Sequence, residues 1–361
     1  QRFLSFSPLA VIDAAQLMAR PEFKNIDAPV KNFAFDTSYR EQPTRFAIEL
    51  VLDNITYHYT FAVQGQEIVY ELLTKKYRRT EKLLERTSSS FKDITLRSEL
   101  KGFEDVKRMV KPEALCLPIA DLLNNPLASK IVSAIQGINV VSMTAGKLQP
   151  INPKKTFSED RLRKYINIIR TADPTLRDIK VSFEEEEVEH QRNTSDDFEN
   201  REAIVKTTRV GIASRHAVYE NGKETTVTPI SFFKDESLGT VKLFTALPYL
   251  FDVLEDGGVL MVDELENGLH LSLAKEIIHL FTNEESNPHH AQLICTSHQP
   301  LLVDGEYRRD QVWITAKDDC GKSVLHRMSD LKTSRAKVNL TNRILENAFG
   351  CNPRLFFDNN T

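Results

Sequence analysis

No stretch of the chain stays apolar over the roughly 18 residues needed to cross a bilayer, and its first residues carry no leader-like apolar core. The expectation is a soluble, cytoplasmic protein. Cysteine is scarce: the 4 present, Cys116, Cys295, Cys320 and Cys351, form neither a CxxC pair nor the Cys/His spacing of a structural zinc site. They read as free thiols in a reducing compartment. The 13 glycines and 15 prolines scatter without period, and no internal repeat or long low-complexity tract occurs, which excludes collagen-like and solenoid designs. An excess of positive charge is also missing, because Lys+Arg 47 stand against Asp+Glu 51 for a formal charge of -4. That argues against the strongly basic surface of a dedicated nucleic-acid coat but leaves a local basic patch open, so charge does not decide the partner class.

The 361 residues, 41% hydrophobic and 27% charged, suffice for two domains, or for one large α/β domain with an insertion. Residues 1–10 suit a short edge strand, and Val11–Arg20 has the apolar spacing of an amphipathic helix. From Asn32 to Thr74 the pattern is strand-like: Phe46, Ile48, Leu50 and Leu52 alternate with other residues, and Asp53-Asn54 and Gln64-Gly65 signal turns. This predicts an antiparallel meander. Residues 75–175 look helix-rich, with ALCLPIADLLNN and DRLRKYINIIR the clearest amphipathic stretches, and read as an inserted helical lobe.

Strands return from about 178, with Asn221-Gly222 a hairpin signal. The acidic run Glu184–Glu187 reads as a solvated strand end or loop, since consecutive strand residues point to opposite faces. After Phe233 helices alternate with apolar strands, the texture of α/β architecture with a parallel sheet. The expected division is 1–74 and 178–361 for the two parts of a core, with 75–177 as the lobe.

The sharpest chemical feature is VLMVDE, Val259–Glu264, an apolar strand after Gly257-Gly258 that ends in two carboxylates. Ligands of parallel sheets bind at the carboxyl ends of strands, so Asp263 and Glu264 would face a site. There the first can hold hydrated Mg²⁺ and the second can polarise a water for attack on phosphate. Acids at this position also cap following helices. Upstream, Ser237-Leu238-Gly239-Thr240 precedes the helical stretch VKLFTALPYLFDVL; its hydroxyls and N–H groups suit an anion, but taken by itself the motif reads better as a plain N-cap. Downstream, AQLICTSHQPLL runs through a second buried strand, Gln292–Cys295, into Thr296, Ser297 and His298.

In this order the motifs resemble the signature, Walker B and switch histidine of the ATP-binding cassette superfamily. DESLGT, GGVLMVDELENGLH, LFTNEESNPHHAQLICTSHQPLL, RRDQVWITAKDDCGKSVLHRMSD and NRILENAFGCNPRL resemble the ABC-type AAA family ATPases of bacterial phage-defence and abortive-infection loci, distant relatives of RecF, SMC-type and OLD ATPases. The resemblance is close over 235–355 and extends more weakly over Phe33–Phe61 and the lobe. It implies an α/β fold, an ABC-type P-loop NTPase core with an antiparallel β subdomain and a helical lobe. It also implies ATP and Mg²⁺ as cofactors and a homodimer that sandwiches nucleotide between one subunit's Walker motifs and the other's signature.

Under the resemblance Asp263 helps hold Mg²⁺, Glu264 is the general base, His298 contacts the γ-phosphate, and Ser237, Gly239 and Thr240 act in trans. Leu265–His270 would be the D-loop region, with Asn267 and His270 near the dimer seam. Where relatives carry Pro after Gly-Leu-His this chain has Leu271, which should alter only the start of the next helix.

No G-x-x-x-x-G-K-[ST] phosphate loop is present. The decoy Cys320-Gly321-Lys322-Ser323 has Ala316 where the first glycine is required, and the alternating SVLHRM after it predicts a hairpin turn. In the resembled family the loop sits near the N-terminus, between a strand like FLSFSPLA and a helix like VIDAAQLM. The expectation is that residues between Ala10 and Val11 are omitted from the sequence, so that the intact mass exceeds 41.2 kDa; the rival is a degenerate ATPase without the loop.

The leading functional reading is thus an ATPase acting as sensor or motor for a defence system and engaging a protein effector through the lobe. A DNA-repair or chromosome-type clamp is the second, with Lys75-Lys76-Tyr77-Arg78-Arg79 and Lys154-Lys155 as basic contacts to nucleic acid; a non-hydrolysing scaffold is the third. Arg308-Arg309-Asp310 reads as a structural ion network.

Overall fold

A β-meander followed by helices opens the structure, a computed structural model that describes residues 33–105, 107–143, 153–190, 203–303, 307–318, 320–330, 340–347 and 349. The strand and helix expected before Asn32, the join at Ala10-Val11, Lys154's side chain and Cys351 lie outside the described residues. Two compact units emerge: the described residues of Gln1–Val140, Gly258–Glu264 and Ala291–Thr361 form unit 1, and those of Val141–Gly257 and Leu265–His290 form unit 2.

Unit 1 begins with an antiparallel five-stranded sheet in chain order: β1 (Thr44–Leu52), β2 (Ile55–Gln64), β3 (Glu67–Lys76), β4 (Thr80–Arg86) and β5 (Ile94–Leu96). The Asp53-Asn54 signal sits where β1 turns into β2, and both residues have positive φ (50° and 62°), as a two-residue hairpin of this hand requires. β1 alternates half-buried and exposed residues as its sequence does, while Tyr57, Tyr59, Phe61 and Val63 of β2 are fully buried. The covering helices are α1 (Cys116–Leu122) and α2 (Pro126–Gln136), whose Ala128, Ile131, Val132 and Ile135 recur at helical spacing in the same core.

The stretch 75–177, read from sequence as helical, therefore holds strands as well. β3 runs through the boundary expected at 74/75 and β4 and β5 continue its sheet. TEKLLER buries Leu83 and Leu84 together at a register shift, which hides the period-2 signal of a strand.

At the heart of this core lies a polar cluster. Glu71, fully buried, accepts hydrogen bonds from the Cys116 and Leu117 N–H groups at the start of α1 and from the Tyr59 hydroxyl (2.7 Å). A carboxylate suits the positive end of a helix. Burial, with Glu71 beside it, pushes the Tyr59 hydroxyl and the Cys116 thiol well above their ordinary pKa values. Arg86, equally buried, donates to the carbonyls of Ser88, Ser89, Pro112 and Ala114, so each of its three side-chain nitrogens is hydrogen-bonded.

A second, three-stranded sheet has the order β11-β10-β6, with β6 at Ile138–Ser142, β10 at Val259–Asp263 and β11 at Gln292–Cys295. β10 and β11 are parallel, as the texture after Phe233 predicts. β10 is buried through Leu260, Met261 and Val262, but β11 alternates exposed and half-buried residues, with Ile294 50% exposed. The expectation of a second buried strand is corrected: among the described residues β11 is an edge strand of this sheet. β12 (Trp313–Lys317) and β13 (Ser323–Arg327) form an antiparallel hairpin with Gly321 at φ 76°, so the GKS segment is a turn. Arg308 pairs with Asp310 beside it as expected, Arg327 joins the same carboxylate, and Arg309 donates to the Met328 carbonyl (3.0 Å). Among the described residues of unit 1 the free thiols are Cys116, buried, Cys295, half-buried, and Cys320, exposed.

Unit 2 carries a second antiparallel sheet, β7 (Leu176–His190), β8 (Ala203–Glu220) and β9 (Lys223–Ser231), with helices α3 (Pro153–Thr156) and α4 (Glu159–Ala172) before it. Asn221-Gly222 makes the β8–β9 turn, both at positive φ. Glu184–Glu187 lie inside β7, opposite Arg209, Thr208, Thr207 and Lys206 in register, rather than in a loop. After β9 come the single turn α5 (Phe232–Asp235), the long α6 (Leu238–Asp256) and α7 (Leu271–Thr282). α6 buries Phe244 against Phe157 (ring centroids 5.7 Å), Phe232 (4.7 Å) and Tyr165 of α4 (6.2 Å). Arg161 of α4 donates to Asp252 (2.6 Å) and to Glu255 of α6, and Lys155 lies 3.8 Å from Asp252 and 3.7 Å from Asp256. Lys155 is therefore engaged within its own unit. No helix among the described residues is long and apolar enough to cross a membrane.

Candidate active site

The parallel register Val262↔Cys295 brings the residues after β10 and after β11 together, and the Thr296 N–H extends the ladder to the Val262 carbonyl (3.0 Å). The Thr296 hydroxyl donates to Asp263 Oδ1 (2.7 Å) and accepts from the Glu264 N–H (2.9 Å). Glu264 occupies the left-handed region at φ 53°, uncommon for a residue with a Cβ and a form of stored strain. Its Oε1 stands 3.3 Å from His298 Nε2. Glu264 is partly buried (30% of its side chain exposed) whereas His298 is 84% exposed. Two carboxylates and an imidazole thus share the carboxyl end of the sheet, where parallel sheets bind their ligands.

This donor set fits hydrated Mg²⁺ and an attacking water. One Asp263 oxygen is oriented by Thr296, and the Glu264 carboxylate stands beside an exposed imidazole. No phosphate-cradling loop is found among the described residues.

The other expected site residues belong to unit 2. Ser237 is the N-cap of α6: its Oγ accepts from the Thr240 N–H (3.1 Å) and shares a hydrogen bond with Thr240 Oγ1 (2.8 Å). The N-cap explanation of SLGT is therefore realised, with Leu238 63% exposed beside it. A Cβ on Gly239 would meet the Gly268 carbonyl oxygen at 2.6 Å, so the motif needs glycine there for close backbone approach. Asn267 presents its side-chain oxygen (2.6 Å) and its carbonyl (3.1 Å) to the ammonium of Lys242, which is 4% exposed. Gly268, at φ 79°, leaves room for the Lys242 stem, since a Cβ would approach Lys242 Cδ to 2.9 Å. Hence the start of α6 and the 265–270 loop are one interlocked piece within unit 2.

His270 is the N-cap of α7, accepting from the Ser272 N–H (3.3 Å), and Leu271 is that helix's first residue. Proline is favoured at this position because no intrahelical N–H is needed there, so Leu271 in its place leaves the helix intact.

Sequence reading passed over Thr296 and Lys242 as site residues. Thr296 was visible as the first residue beyond a strand that ends beside an Asp-Glu pair. Lys242 was hidden, since a lysine in a helix ordinarily reads as solvated.

Residues 145–304 match the model of a family described as "AAA domain, putative AbiEii toxin, Type IV TA system". The matched span contains the cap of α6, β10 with its acid pair, and β11 with Thr296 and His298. The similarity supports an AAA/ABC-like ATPase class for this part of the chain. No curated protein matches the sequence.

Proposed function

We propose that the chain is an ATP-binding and hydrolysing ABC-type ATPase that acts as sensor or motor of a bacterial anti-phage defence system, coupling nucleotide state to a partner effector. The observation that carries the reading is the gathering of Asp263, Glu264, Thr296 and His298 at the carboxyl ends of two neighbouring parallel strands. The matched family, described by an abortive-infection-type toxin, supports the defence setting.

In this reading Asp263 would hold Mg²⁺, which supplies charge neutralisation on the phosphates when bound. Glu264 accepts the proton of the attacking water and His298 faces the transferred phosphate. Ser237, Gly239, Thr240 and Asn267 meet the nucleotide of a second copy in a homodimer. Differential affinity of ATP for the closed dimer then drives the change that an effector reads.

A DNA-clamp reading is favoured by one feature. Lys76, Tyr77, Arg78 and Arg79 are exposed at the β3–β4 turn, with Tyr77 70% exposed, while Lys75 is neutralised by Glu81 (3.3 Å) and Glu99 (2.7 Å).

The deciding experiment is Mg²⁺-dependent ATP hydrolysis and ATP-induced oligomerisation of the wild type beside Glu264→Gln, with and without double-stranded DNA. Turnover that Glu264→Gln abolishes while ATP is still bound is the expected result. Stimulation by DNA moves the reading to the clamp, and absence of ATP binding moves it to a scaffold.

A further inference from the structure

Next to the capping serine of α6 stands a buried carboxylate with a single described donor. Glu236, whose side chain is 3% exposed, has Oε1 2.7 Å from His216 Nε2. The other ring nitrogen of His216 lies 2.9 Å from Thr175 Oγ1 and 3.8 Å from Asp173 Oδ2. Thr175 in turn donates to Asp173 through both its N–H (2.9 Å) and its hydroxyl (2.7 Å). Burial pushes the Asp173 carboxyl up, but these hydrogen bonds outweigh it and leave the group below its ordinary value.

All four residues belong to unit 2. His216 sits on β8, the central strand of its sheet, in register with Leu176 of β7 and Thr228 of β9. Asp173 and Thr175 lie in the turn between α4 and β7, and Glu236 lies between α5 and α6. The imidazole is thus a bridge with one end on the sheet's entrance turn and the other on the residue before Ser237. One His and two carboxylates within 4.8 Å also have the composition of a divalent-metal site. Here, however, both ring nitrogens already face oxygens, Nδ1 that of Thr175 and Nε2 that of Glu236, the arrangement of a hydrogen-bonded brace.

We propose that His216 is a positioning residue for the turn Glu236–Thr240: by bridging Thr175 and Asp173 to Glu236 it fixes the backbone from which Ser237 Oγ and the first N–H groups of α6 are presented. The functional part of this inference rests on the reading that those groups meet nucleotide. The physical step is short. A carboxylate so deeply buried has to keep its donor, so Glu236 holds one rotamer as long as the ring is in place. Ser237 follows it directly in the chain, and its cap bond to Thr240 closes the first turn of α6.

The test uses the intact chain with His216→Gln and Glu236→Gln, the second keeping shape and both polar atoms in case the first fails to fold. Amide hydrogen exchange without nucleotide is read for a peptide spanning residues 236–243. Exchange at Thr240 and Val241, whose N–H groups bond Ser237 Oγ and the Ser237 carbonyl, is expected to rise about tenfold, with the later turns of α6 unchanged. For ATP turnover, kcat is expected to fall about tenfold with KM held within about twofold, the split of a group felt in the transition state.

Wild-type exchange at 236–243 in both variants overturns the inference, as does wild-type kcat in both. Stoichiometric zinc or manganese in the purified protein, lost on His216→Gln, overturns the brace in favour of a metal site. Faster exchange in a protein that binds no ATP leaves the brace standing and removes the ATPase reading instead.

Discussion

Thr296 holds Glu264 by its backbone: the threonine hydroxyl accepts the Glu264 N–H at 2.9 Å while donating to Asp263 at 2.7 Å. One hydroxyl therefore holds the carboxylate of Asp263 and the backbone of Glu264. Thr296→Val, which keeps the shape and removes both bonds, is expected to lower kcat about tenfold to a hundredfold and to cost about 1–2 kcal/mol of stability. Thr296→Ser should recover most of the activity. Steady-state ATP turnover and urea denaturation of the three proteins check this; a Val variant with wild-type kcat sinks it.

The left-handed backbone at Glu264 separates stability from activity. Glycine adopts φ 53° without the steric cost that a Cβ brings, so Glu264→Gly should stabilise the fold by up to about 1 kcal/mol or leave it unchanged, while abolishing turnover. Glu264→Ala retains the strain and should be the less stable of the two. Equal or reversed denaturation midpoints for these variants would show that the strain is not released at this position.

His298 makes the complementary case from exposure. A side chain 84% exposed packs against little, so His298→Ala should leave the melting temperature within about a degree of wild type. If the imidazole faces the transferred phosphate, kcat falls at least about tenfold all the same. Loss of stability in parallel with activity would instead assign His298 a structural part.

What the sequence disclosed and what it hid follow from the range of the interactions involved. VLMVDE and AQLICTSH are local patterns, and their strands pair in parallel with Asp263, Glu264 and His298 at the same end. Hairpins were legible for the same reason: Asp53-Asn54 and Asn221-Gly222 carry the positive φ values in the residues themselves. β4 was missed because Leu83 and Leu84 are consecutive buried residues at a register shift, a pattern that only the sheet explains. Nor did local pattern show that Lys242 is buried beneath Asn267, or that His216 reaches Glu236 across 20 residues of chain.

The Lys242–Gly268 contact gives a prediction about the interlocked loop. Gly268→Ala must tolerate φ 79° and a Cβ 2.9 Å from Lys242 Cδ, for which about 2–3 kcal/mol of destabilisation is expected. Lys242→Met relieves the crowding less than it harms the site, because Asn267 Oδ1 and the Asn267 carbonyl lose their ammonium donor. The double variant should be less destabilised than the sum of the two single changes, since they share one contact. Additivity in urea denaturation would mean that the two residues do not act on each other.

Asp36 and Lys322 set a pH dependence in unit 1. Their ion pair spans 2.8 Å, and the hydrogen bond from Lys322, helped by those from Ser38, holds the Asp36 carboxyl down at about 2. A carboxyl lowered on folding contributes stability above its unfolded value of about 3.9, and that contribution fades as pH falls toward the folded value. Asp36→Asn should therefore be less stable than wild type at pH 7, and the two proteins should converge between about pH 4 and pH 2. The same residue sits under the β12–β13 turn, where Lys322 also lies over the Tyr39 ring at 4.8 Å, so the loss should fall on that hairpin first. Hydrogen exchange in residues 313–327, measured at pH 7 and pH 3, distinguishes the outcomes. A wild-type-minus-variant difference that is constant across this range would place the stabilising force in packing rather than in the charge of Asp36.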